Sequence, residues 1–374
     1  MDSRSSMSTL ASQPVVSVII PARNEEAVLG ICLRSLVNQH NMVAGRSPHP
    51  WPREGTRWGT RTEPSSGVSG DSTAYEIIVV DDHSTDRTRE IAERFGVTVI
   101  AADPLPVGWS GKCNACWTGA KAAKGKWLLF TDADTEHEPD SIGQGLAEAE
   151  QTGAAMLSYS PKQEVHDFAE RALMPVIFAE LAATFRPKEV SDPSSPAAAA
   201  NGQYLLIHRD AYEAIGGHRA VATAILEDVE LARRVKQAGF RLQFRMSDVV
   251  RTRMYRTFGQ MWEGWTKNLA LLFRRPLWLA FRRWLEFLLG ILLFAVVVVS
   301  VSVRDWTGLA INGMLLVVLL IFFIRRIRRA HFDGSSNCCA FLGLPLFSLL
   351  LVNSYISHKT GAVSWKRRVY RPSS

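Results

Sequence analysis

Cysteine is scarce in this sequence, with only five residues in a chain of 374. An odd count in a chain of this length does not make a disulfide framework, which excludes a small secreted scaffold and indicates a reduced protein facing the cytosol. The first 14 residues are polar and lack the apolar segment of a secretory signal peptide, so we expect the amino-terminal part to stay in the cytosol. Internal repeats and a Walker-type phosphate loop are also missing from the sequence.

Charged residues are moderately abundant and basic ones predominate. Hydrophobic residues make up 47% and charged residues 21% of the chain, which excludes a disordered or fibrous protein. The 43 Lys and Arg exceed the 36 Asp and Glu, giving a net charge of +7. Such an excess of positive charge favours binding to nucleic acid, to a phosphorylated substrate or to the anionic face of a membrane. Because the basic residues adjoin apolar runs, we expect a lipid bilayer as partner and no nucleic acid.

Three long apolar runs dominate the last part of the chain, at 285–303, 306–324 and 338–356. Each approaches the ~20 residues that a membrane-spanning helix needs. A buried helix of a soluble protein is the alternative for any one run, but three in succession beside arginine clusters favour the membrane. We therefore predict a membrane domain over 271–374, in a multi-pass protein of the cell (inner) membrane.

The arginines predict how these runs are oriented. Arg282 and Arg283 precede the first run and a cluster at 325–329 follows the second, so the positive-inside rule makes these two runs a hairpin with cytosolic outer ends. The third run has two possible arrangements, a full crossing or a return to the side where it began. A full crossing would place the basic carboxyl-terminal tail on the outer side of the membrane, against the positive-inside rule. Gly343 and Pro345 interrupt this run, which favours a re-entrant or interfacial helix pair.

The preceding part of the chain, 15–270, alternates apolar strands with amphipathic helices. Such alternation predicts a parallel sheet covered on both faces, which binds ligands beyond the carboxyl ends of its strands. A stretch rich in Gly, Pro, Ser, Thr and Arg at 40–74 is predicted to be a flexible insertion, and 1–14 a disordered terminus. The predicted strands are 15–22, 75–80, 97–101 and 127–131, and the predicted helices 25–39, 86–95 and 112–124.

Acidic residues follow three of the predicted strands. Asp132 and Asp134 come after the fourth strand, and because side chains alternate along extended backbone, both carboxylates point the same way. Hard oxygen ligands of this kind suit Mg²⁺ or Mn²⁺ bridging a diphosphate. An acidic residue after a single strand is common and often caps the following helix, and we expect Asp86 to act partly in this way. Three such ends at one sheet edge favour a functional site.

These strand ends resemble a known family. VSVIIPARNEE, EIIVVDDHSTD and KWLLFTDAD, in this order and spacing, are similar to family 2 glycosyltransferases of the GT-A fold. The resemblance continues through NGQYLLIHR and LEDVE and covers 15–270. WSGK at 109–112 and WTKN at 265–268, followed by membrane helices, resemble hopanoid-associated and diaponeurosporenoate-type carotenoid glycosyltransferases. The implied fold is α/β, a mixed and mostly parallel GT-A sheet with helices on both faces, plus carboxyl-terminal transmembrane helices.

The resemblance implies a nucleotide-sugar donor, in particular a UDP-sugar, and a divalent cation, Mg²⁺ or Mn²⁺. Asp82 would contact the uracil, Lys112 would lie near the diphosphate, and Asp132 would meet the ribose and the cation together with Asp134. The other implied donor-side residues are Pro21, Ala22, Arg23 and Glu25.

The resemblance also implies the catalytic residue and the acceptor side. Asp228 looks like the inverting general base, and we expect Glu227 to point elsewhere around the same helix start. Without the resemblance, both acids would be read as dipole-stabilising residues. Trp265, Lys267 and Asn268 lie where processive relatives carry a Gln-x-x-Arg-Trp motif. Its absence favours a single transfer, to a membrane lipid such as a hopanoid, a carotenoid acid, a glycerolipid or a polyprenyl phosphate.

Two other functions remain as alternatives. A nucleotidyltransferase would need a basic, Gly-rich loop after the first strand, which residues 21–26 lack. A catalytically inactive sugar-nucleotide scaffold would not need all four acids at 82, 132, 134 and 228. Cys113 and Cys116 have CxxC spacing but no partners for zinc, so we expect helix packing there. The sequence contains no signal for an oligomeric state.

Overall fold

The computed structural model of the protein describes residues 14–39 and 75–361, and the backbone of 363–365 and 368–370. The predicted insertion at 40–74, and the predicted terminus at 1–14 except for residue 14, lie outside the described residues. The strands are β1 (Val16–Ala22), β2 (Tyr75–Asp81), β3 (Thr98–Ala101), β4 (Trp127–Phe130), β5 (Thr135–His137), β6 (Met156–Gln163), β7 (Leu205–His208), β8 (Leu242–Thr252), β9 (Val363–Trp365) and β10 (Arg368–Tyr370).

Twelve α-helices occur in the part of the chain that is described. They are α1 (Leu29–Val37), α2 (Thr88–Arg94), α3 (Gly111–Ala122), α4 (Ser141–Thr152), α5 (Phe168–Thr184), α6 (Pro187–Ser191), α7 (Arg209–Ala214), α8 (Glu227–Gln237), α9 (Phe258–Leu272), α10 (Pro276–Ser302), α11 (Trp306–Ile327) and α12 (Gly334–Thr360). Two short 3-10 turns, Gly217–Val221 and Arg328–Ala330, complete the helical elements of the same residues.

Eight strands form one mixed sheet in the order β3-β2-β1-β4-β7-β6-β8-β5. The half that carries β1 to β4 is parallel, whereas β7 runs antiparallel to both β4 and β6. Val18, Ile19 and Ile20 are fully buried, because alternate residues of β1 pack into separate apolar clusters on the two faces of the sheet. The predicted mixed, mostly parallel sheet with helices on both faces is confirmed.

The first helix starts four residues later than its periodicity predicted. Its expected beginning at Glu25 is a turn, in which the Glu25 carbonyl accepts from the N–H of Leu29. The Glu25 N–H donates to Thr88 Oγ1 over 2.8 Å, and the Glu26 N–H donates to the Asp86 carboxylate over 3.2 Å. Side chains after β2 therefore satisfy the backbone N–H groups of this turn and fix the loop after β1.

A third apolar cluster lies between the sheet and the long carboxyl-terminal helices. It is built mainly from α5, α9 and α12, with residues from the adjoining ends of α10 and α11. The segment 270–281, which mixes apolar and basic residues, contains the end of α9 and the first turns of α10. The cluster joins the sheet domain to the apolar helices.

Three described helices, α10, α11 and α12, are long and apolar enough to cross a membrane. The first two form a hairpin around a turn at 303–305, close to the predicted runs. A buried network of four charges ties this hairpin to α5: Arg283 Nε lies 2.8 Å from Glu180 Oε1, and Arg326 Nη1 lies 2.8 Å from Glu286 Oε2. Each cation faces both acids, so no charge in the network is buried without a counter-charge.

The third apolar run is one continuous helix, α12, so the predicted interruption at Gly343 and Pro345 is wrong. Pro345 lies inside the helix, where neighbouring apolar helices tolerate the lost backbone hydrogen bond. Gly343 serves close packing instead, because a Cβ at this position would collide with the backbone of Ala172 on α5. The helix pair expected from these two residues is absent from the described residues.

Candidate active site

Lys112 lies at the centre of a cleft at the carboxyl ends of the parallel strands. It stands in the first turn of α3, which Ser110 caps by accepting from the Cys113 N–H over 3.1 Å. Lys112 Nζ lies 2.8 Å from Asp132 Oδ1 and 2.8 Å from Glu227 Oε1. It therefore bridges the end of β4 and the start of α8. The residues that line the cleft are Pro21, Lys112, Cys116, Phe130, Thr131, Asp132, Gly202, Leu205, His218, Glu227 and Asp228.

Glu227 and Asp228 open α8 and both face this cleft. The two oxygens of Asp228 accept from the backbone N–H groups of Gly202 and Val229, over 2.9 and 2.8 Å. A Cβ at Gly202 would lie 2.9 Å from Lys112 Nζ and 3.7 Å from an oxygen of each acid. The expectation that Glu227 points elsewhere is wrong, because its ion pair with Lys112 draws it into the same space.

Burial and charge separate the two neighbouring acids. Burial, and then the charge of Glu227, raises the pKa of Asp228 to about 6. Burial also raises the pKa of Glu227, but Lys112 and Lys267 outweigh this and hold it below its ordinary value. Burial lowers the pKa of Lys112, yet Asp132 and Glu227 together bring it well above its usual range. At neutral pH the cleft holds a charged lysine beside two ionised carboxylates.

The donor-side residues predicted from the sequence meet at the ends of β1 and β2. Arg23 Nη1 donates to the Asp82 carbonyl over 2.9 Å and lies 3.9 Å from its carboxylate. The Ala22 carbonyl accepts from the Asp82 N–H over 2.8 Å, while its methyl group is buried in the core. Pro21 lines the cleft, and Glu25 sits in the turn before α1. Ala22 therefore contributes backbone rather than a side chain.

Asp132 and Asp134 leave the end of β4 close to Cys32. Burial, followed by the charges of Asp134, Asp132 and Glu25, raises the pKa of this thiol. Among the residues that the structure describes, no group of three or more His, Cys, Asp or Glu would hold a metal by itself. Two carboxylates with room for substrate oxygens are nevertheless the usual protein share of a Mg²⁺–phosphate site. The residues present fit a cation that is bound jointly with a diphosphate.

The predicted acceptor-side residues are divided between the cleft and the core. Trp265 is buried in the α5–α9–α12 cluster, where its Nε1–H points at Met174 Sδ over 3.4 Å, and it does not line the cleft. Lys267 acts electrostatically on Glu227 and Asp228, and its own pKa is lowered by burial. Asn268 Oδ1 is buried without a hydrogen-bond partner among the described residues.

Gly202 and His218 also line the cleft. Gly202 supplies the N–H that holds Asp228, a role that was not predicted, and its only signal was its place in the motif NGQYLLIHR. His218 is buried, and its Nδ1 lies 2.9 Å from the Tyr212 hydroxyl. Burial lowers the pKa of His218 to about 3, so the imidazole is neutral at pH 7. Cys113 and Cys116 are buried in α3, as expected for helix packing.

Fold and cleft together define an α/β protein that gathers carboxylates at the carboxyl ends of a mixed sheet. Two family models match the chain: one described as glycosyl transferase family 2 over residues 17–216, and one described as glycosyl transferase family group 2 over residues 127–355. The chain therefore belongs to glycosyl transferase family 2. The prediction of a glycosyltransferase is confirmed at this level.

Known proteins of this kind resemble the chain over different lengths. A 4,4'-diaponeurosporenoate glycosyltransferase of Staphylococcus haemolyticus is 30% identical over 68% of this chain, which spans 61% of that protein. Its namesake in Staphylococcus aureus is 26% identical over 95% of this chain and 88% of its own length. The solved mannosyltransferase of Pyrobaculum calidifontis, in complex with GDP-Man and Mn²⁺, is similar with a TM-score of 0.50 and 15% identity. It covers 96% of this chain and 89% of its own, which supports the GT-A-like fold alone.

Proposed function

We propose that the protein transfers a single sugar from a nucleotide-diphospho sugar, specifically a UDP-sugar, to a membrane lipid with inversion at the anomeric carbon. The observation that carries this proposal is the meeting of Lys112, Glu227 and Asp228 around Gly202, beside the strand ends of the sheet. This arrangement supports the proposal, because a positive charge and a carboxylate of raised pKa share one cleft. Family membership supports the donor class, and the missing Gln-x-x-Arg-Trp motif supports a single transfer.

We propose Asp228 as the general base. Inverting transfer needs a carboxylate to take the proton of the acceptor hydroxyl as its oxygen attacks the anomeric carbon. Both Asp228 oxygens are held by backbone N–H groups, which supports a fixed orientation. A pKa of about 6 supports this role, because a base with that value is ionised at pH 7 and still has an appreciable proton affinity.

We propose that the donor binds between the loop after β1 and the start of α3. Arg23 and Asp82 would contact the nucleoside, while Lys112 would place its charge near the diphosphate. Asp132 and Asp134 would hold a Mg²⁺ or Mn²⁺ ion together with the diphosphate oxygens. When bound, the cation supplies charge neutralisation of the leaving diphosphate. The Mn²⁺ of the Pyrobaculum mannosyltransferase complex supports this choice of cofactor.

We propose that the acceptor is a lipid and that the catalytic domain is cytosolic. The apolar hairpin of α10 and α11 would anchor the cleft at a bilayer, where exposed Trp278 and Phe281 suit the interfacial layer. The arginines around the outer hairpin ends support a cytosolic position for both ends. The names of the staphylococcal relatives, which specify 4,4'-diaponeurosporenoate, support an acceptor with a long apolar body.

The transfer itself is tested with the purified full chain in detergent. The protein is incubated with a panel of labelled nucleotide sugars, a divalent cation and a lipid extract of the native membrane. We expect label from one donor to enter one lipid, whose mass rises by a single sugar residue. A mass increase by a nucleotide would instead favour nucleotidyl transfer. No labelled lipid with any donor, from protein that binds UDP, would contradict the proposal and favour the scaffold.

The pH dependence of transfer should follow Asp228. Because the base acts only when ionised, kcat/KM at low donor concentration should rise with pH through about 6 and level off above it. Protonated Asp228 predominates below that pH, and each further decrease of one pH unit should lower kcat/KM about tenfold. A rate profile that is flat between pH 5 and 8 would contradict the assignment.

A further inference from the structure

The hairpin fixes which helix ends lie on the catalytic side. The helices α10 and α11 run antiparallel, since Glu286 in the first half of α10 meets Arg326 at the end of α11, with 2.8 Å between Oε2 and Nη1. The start of α10 and the end of α11 therefore share one side. That side belongs to the catalytic domain, because α10 begins at Pro276, shortly after α9 ends at Leu272.

Both ends of α12 lie on that same side. Its first residue, Gly334, follows the end of α11 by one short 3-10 turn, Arg328–Ala330. At its other end, the Ser354 hydroxyl donates to the Thr266 carbonyl of α9 over 2.7 Å. His358 Nε2 lies 2.8 Å from the Lys267 carbonyl, also on α9. The carboxyl-terminal end of α12 is thereby fastened next to the residues that act on the cleft.

These contacts are incompatible with a crossing. A helix of 27 residues is about 40 Å long, and a crossing would carry its second end past a hydrocarbon core of about 30 Å. The second end instead contacts α9 of the catalytic domain. Along the way, the Ser348 hydroxyl donates to the Ala280 carbonyl in the first turns of α10 over 2.9 Å.

Packing explains why α12 is apolar without spanning the bilayer. Ala340, Leu344, Phe347 and Leu351 are fully buried against α5, α9 and α10. Only one edge of the helix exposes large apolar side chains: Leu342, Leu349 and Ile356 are 53%, 55% and 52% exposed and follow one another at intervals of two turns. We call these three residues the outer edge of α12.

The amino-terminal half of this edge adjoins the membrane hairpin. Phe341, next to Leu342, has its ring 5.5 Å from those of Phe287 on α10 and Phe323 on α11. Both helices expose long apolar surfaces that a bilayer would cover. Lipid is therefore the occupant that is continuous with the surface beside Leu342.

We infer that α12 is not a third crossing: the chain crosses the membrane twice, its carboxyl-terminal tail stays with the catalytic domain, and α12 contacts the acyl chains of the adjacent leaflet around Leu342. The basic tail that argued against a full crossing is thereby accommodated. The α12 contacts also connect lipid-covered surface to the α9 segment at Thr266 and Lys267. This topology rests on the proposed membrane insertion of the α10–α11 hairpin, and it does not require sugar transfer.

Sidedness is tested with a membrane-impermeant maleimide on sealed inverted vesicles and on spheroplasts. Thr360→Cys is made in a Cys338→Ala, Cys339→Ala background, in which the three remaining cysteines are buried. Arg89→Cys on α2 marks the catalytic side and Arg304→Cys marks the hairpin turn. We expect Thr360→Cys to be labelled in the same preparation as Arg89→Cys. Labelling together with Arg304→Cys would overturn the inference.

A second sidedness measurement avoids the cysteine exchange. An epitope tag after the last residue of the otherwise unchanged chain should be digested by protease added to inverted vesicles. Protection in sealed inverted vesicles, with digestion in spheroplasts, would overturn the two-crossing topology.

Lipid contact is tested with a nitroxide label in vesicles of phosphatidylethanolamine and phosphatidylglycerol. A label at Leu342→Cys, in the same background, should collide more often with oxygen than with a water-soluble nickel chelate. Val318→Cys, exposed on α11, is the matched lipid-facing control, and Arg89→Cys is the water-facing one. A label at Leu342→Cys that prefers the nickel chelate, or is shielded from both reagents because protein covers it, would overturn the lipid contact.

Discussion

Asp228→Asn is expected to reduce sugar transfer by about 10²–10⁴-fold while donor binding stays near the wild-type value. The amide keeps the size of the carboxylate but cannot take a proton from the acceptor hydroxyl. Its oxygen can still accept one of the two backbone N–H groups, from Gly202 or Val229, that hold the acid in place. Single-turnover transfer and UDP calorimetry on the same preparation measure both quantities.

The competing explanation is that Asp228 only stabilises the start of α8. In that case the variant would lose roughly 0.5–2 kcal/mol of stability, and the folded enzyme would keep its turnover. Glu230→Gln is the matched control, because Glu230 lies in the same first turn but pairs with Arg233 outside the cleft. A stable Asp228→Asn enzyme that transfers sugar at near wild-type rate would contradict the base assignment.

The neighbouring acid now has a different expected effect. Glu227→Gln removes one of the two ion pairs of Lys112, so it should disturb the lysine that is proposed to face the diphosphate. We therefore expect its effect to include weaker donor binding, whereas the Asp228→Asn effect should be confined to the transfer step. The two variants thus separate charge placement from proton removal.

UDP binding is expected to weaken at least about tenfold when the divalent cation is removed with EDTA, which corresponds to about 1.4 kcal/mol. Asp134→Ala should weaken UDP binding to a similar extent, because the variant lacks one of the two carboxylates proposed to hold the cation. Calorimetry of UDP binding with Mg²⁺, with Mn²⁺ and with EDTA measures the requirement directly.

The control for this experiment is Asp140→Ala, an exposed acid before α4 that lies outside the cleft. It should leave the UDP affinity and its cation dependence unchanged. If both EDTA and Asp134→Ala also left the affinity unchanged, the cation would have no part in donor binding. Lys112, already paired with Asp132, would then be the principal positive charge near the diphosphate.

Local patterns in the sequence determined the first four strands, the three helices between them and the acidic strand ends. The apolar run in β1 and the Asp-x-Asp after β4 are recognisable because period, length and residue type act over a few neighbouring positions. The α10–α11 hairpin is equally local, since hydrophobic length and flanking arginines define it. The family followed from the order of such motifs along the chain.

Tertiary structure decided what the side chains meet. Lys112, Asp132 and Glu227 are far apart in sequence, and their ion pairs exist only because β4 ends, and α3 and α8 begin, at one edge of the sheet. No local pattern distinguishes a tryptophan that packs in a helical cluster from one that faces an acceptor, and Trp265 proved to be the former.

The same distinction holds for α12, whose sequence resembles a membrane span. Hydrophobicity measures only the free energy of leaving water, and that gain is similar whether lipid or protein covers the helix. Gly343 and Pro345 carried a helix-breaking signal that the close contact with α5 and the surrounding apolar helices outweighed. Which surface covers each apolar face is a property of the assembled helices, so it was fixed only by the tertiary structure.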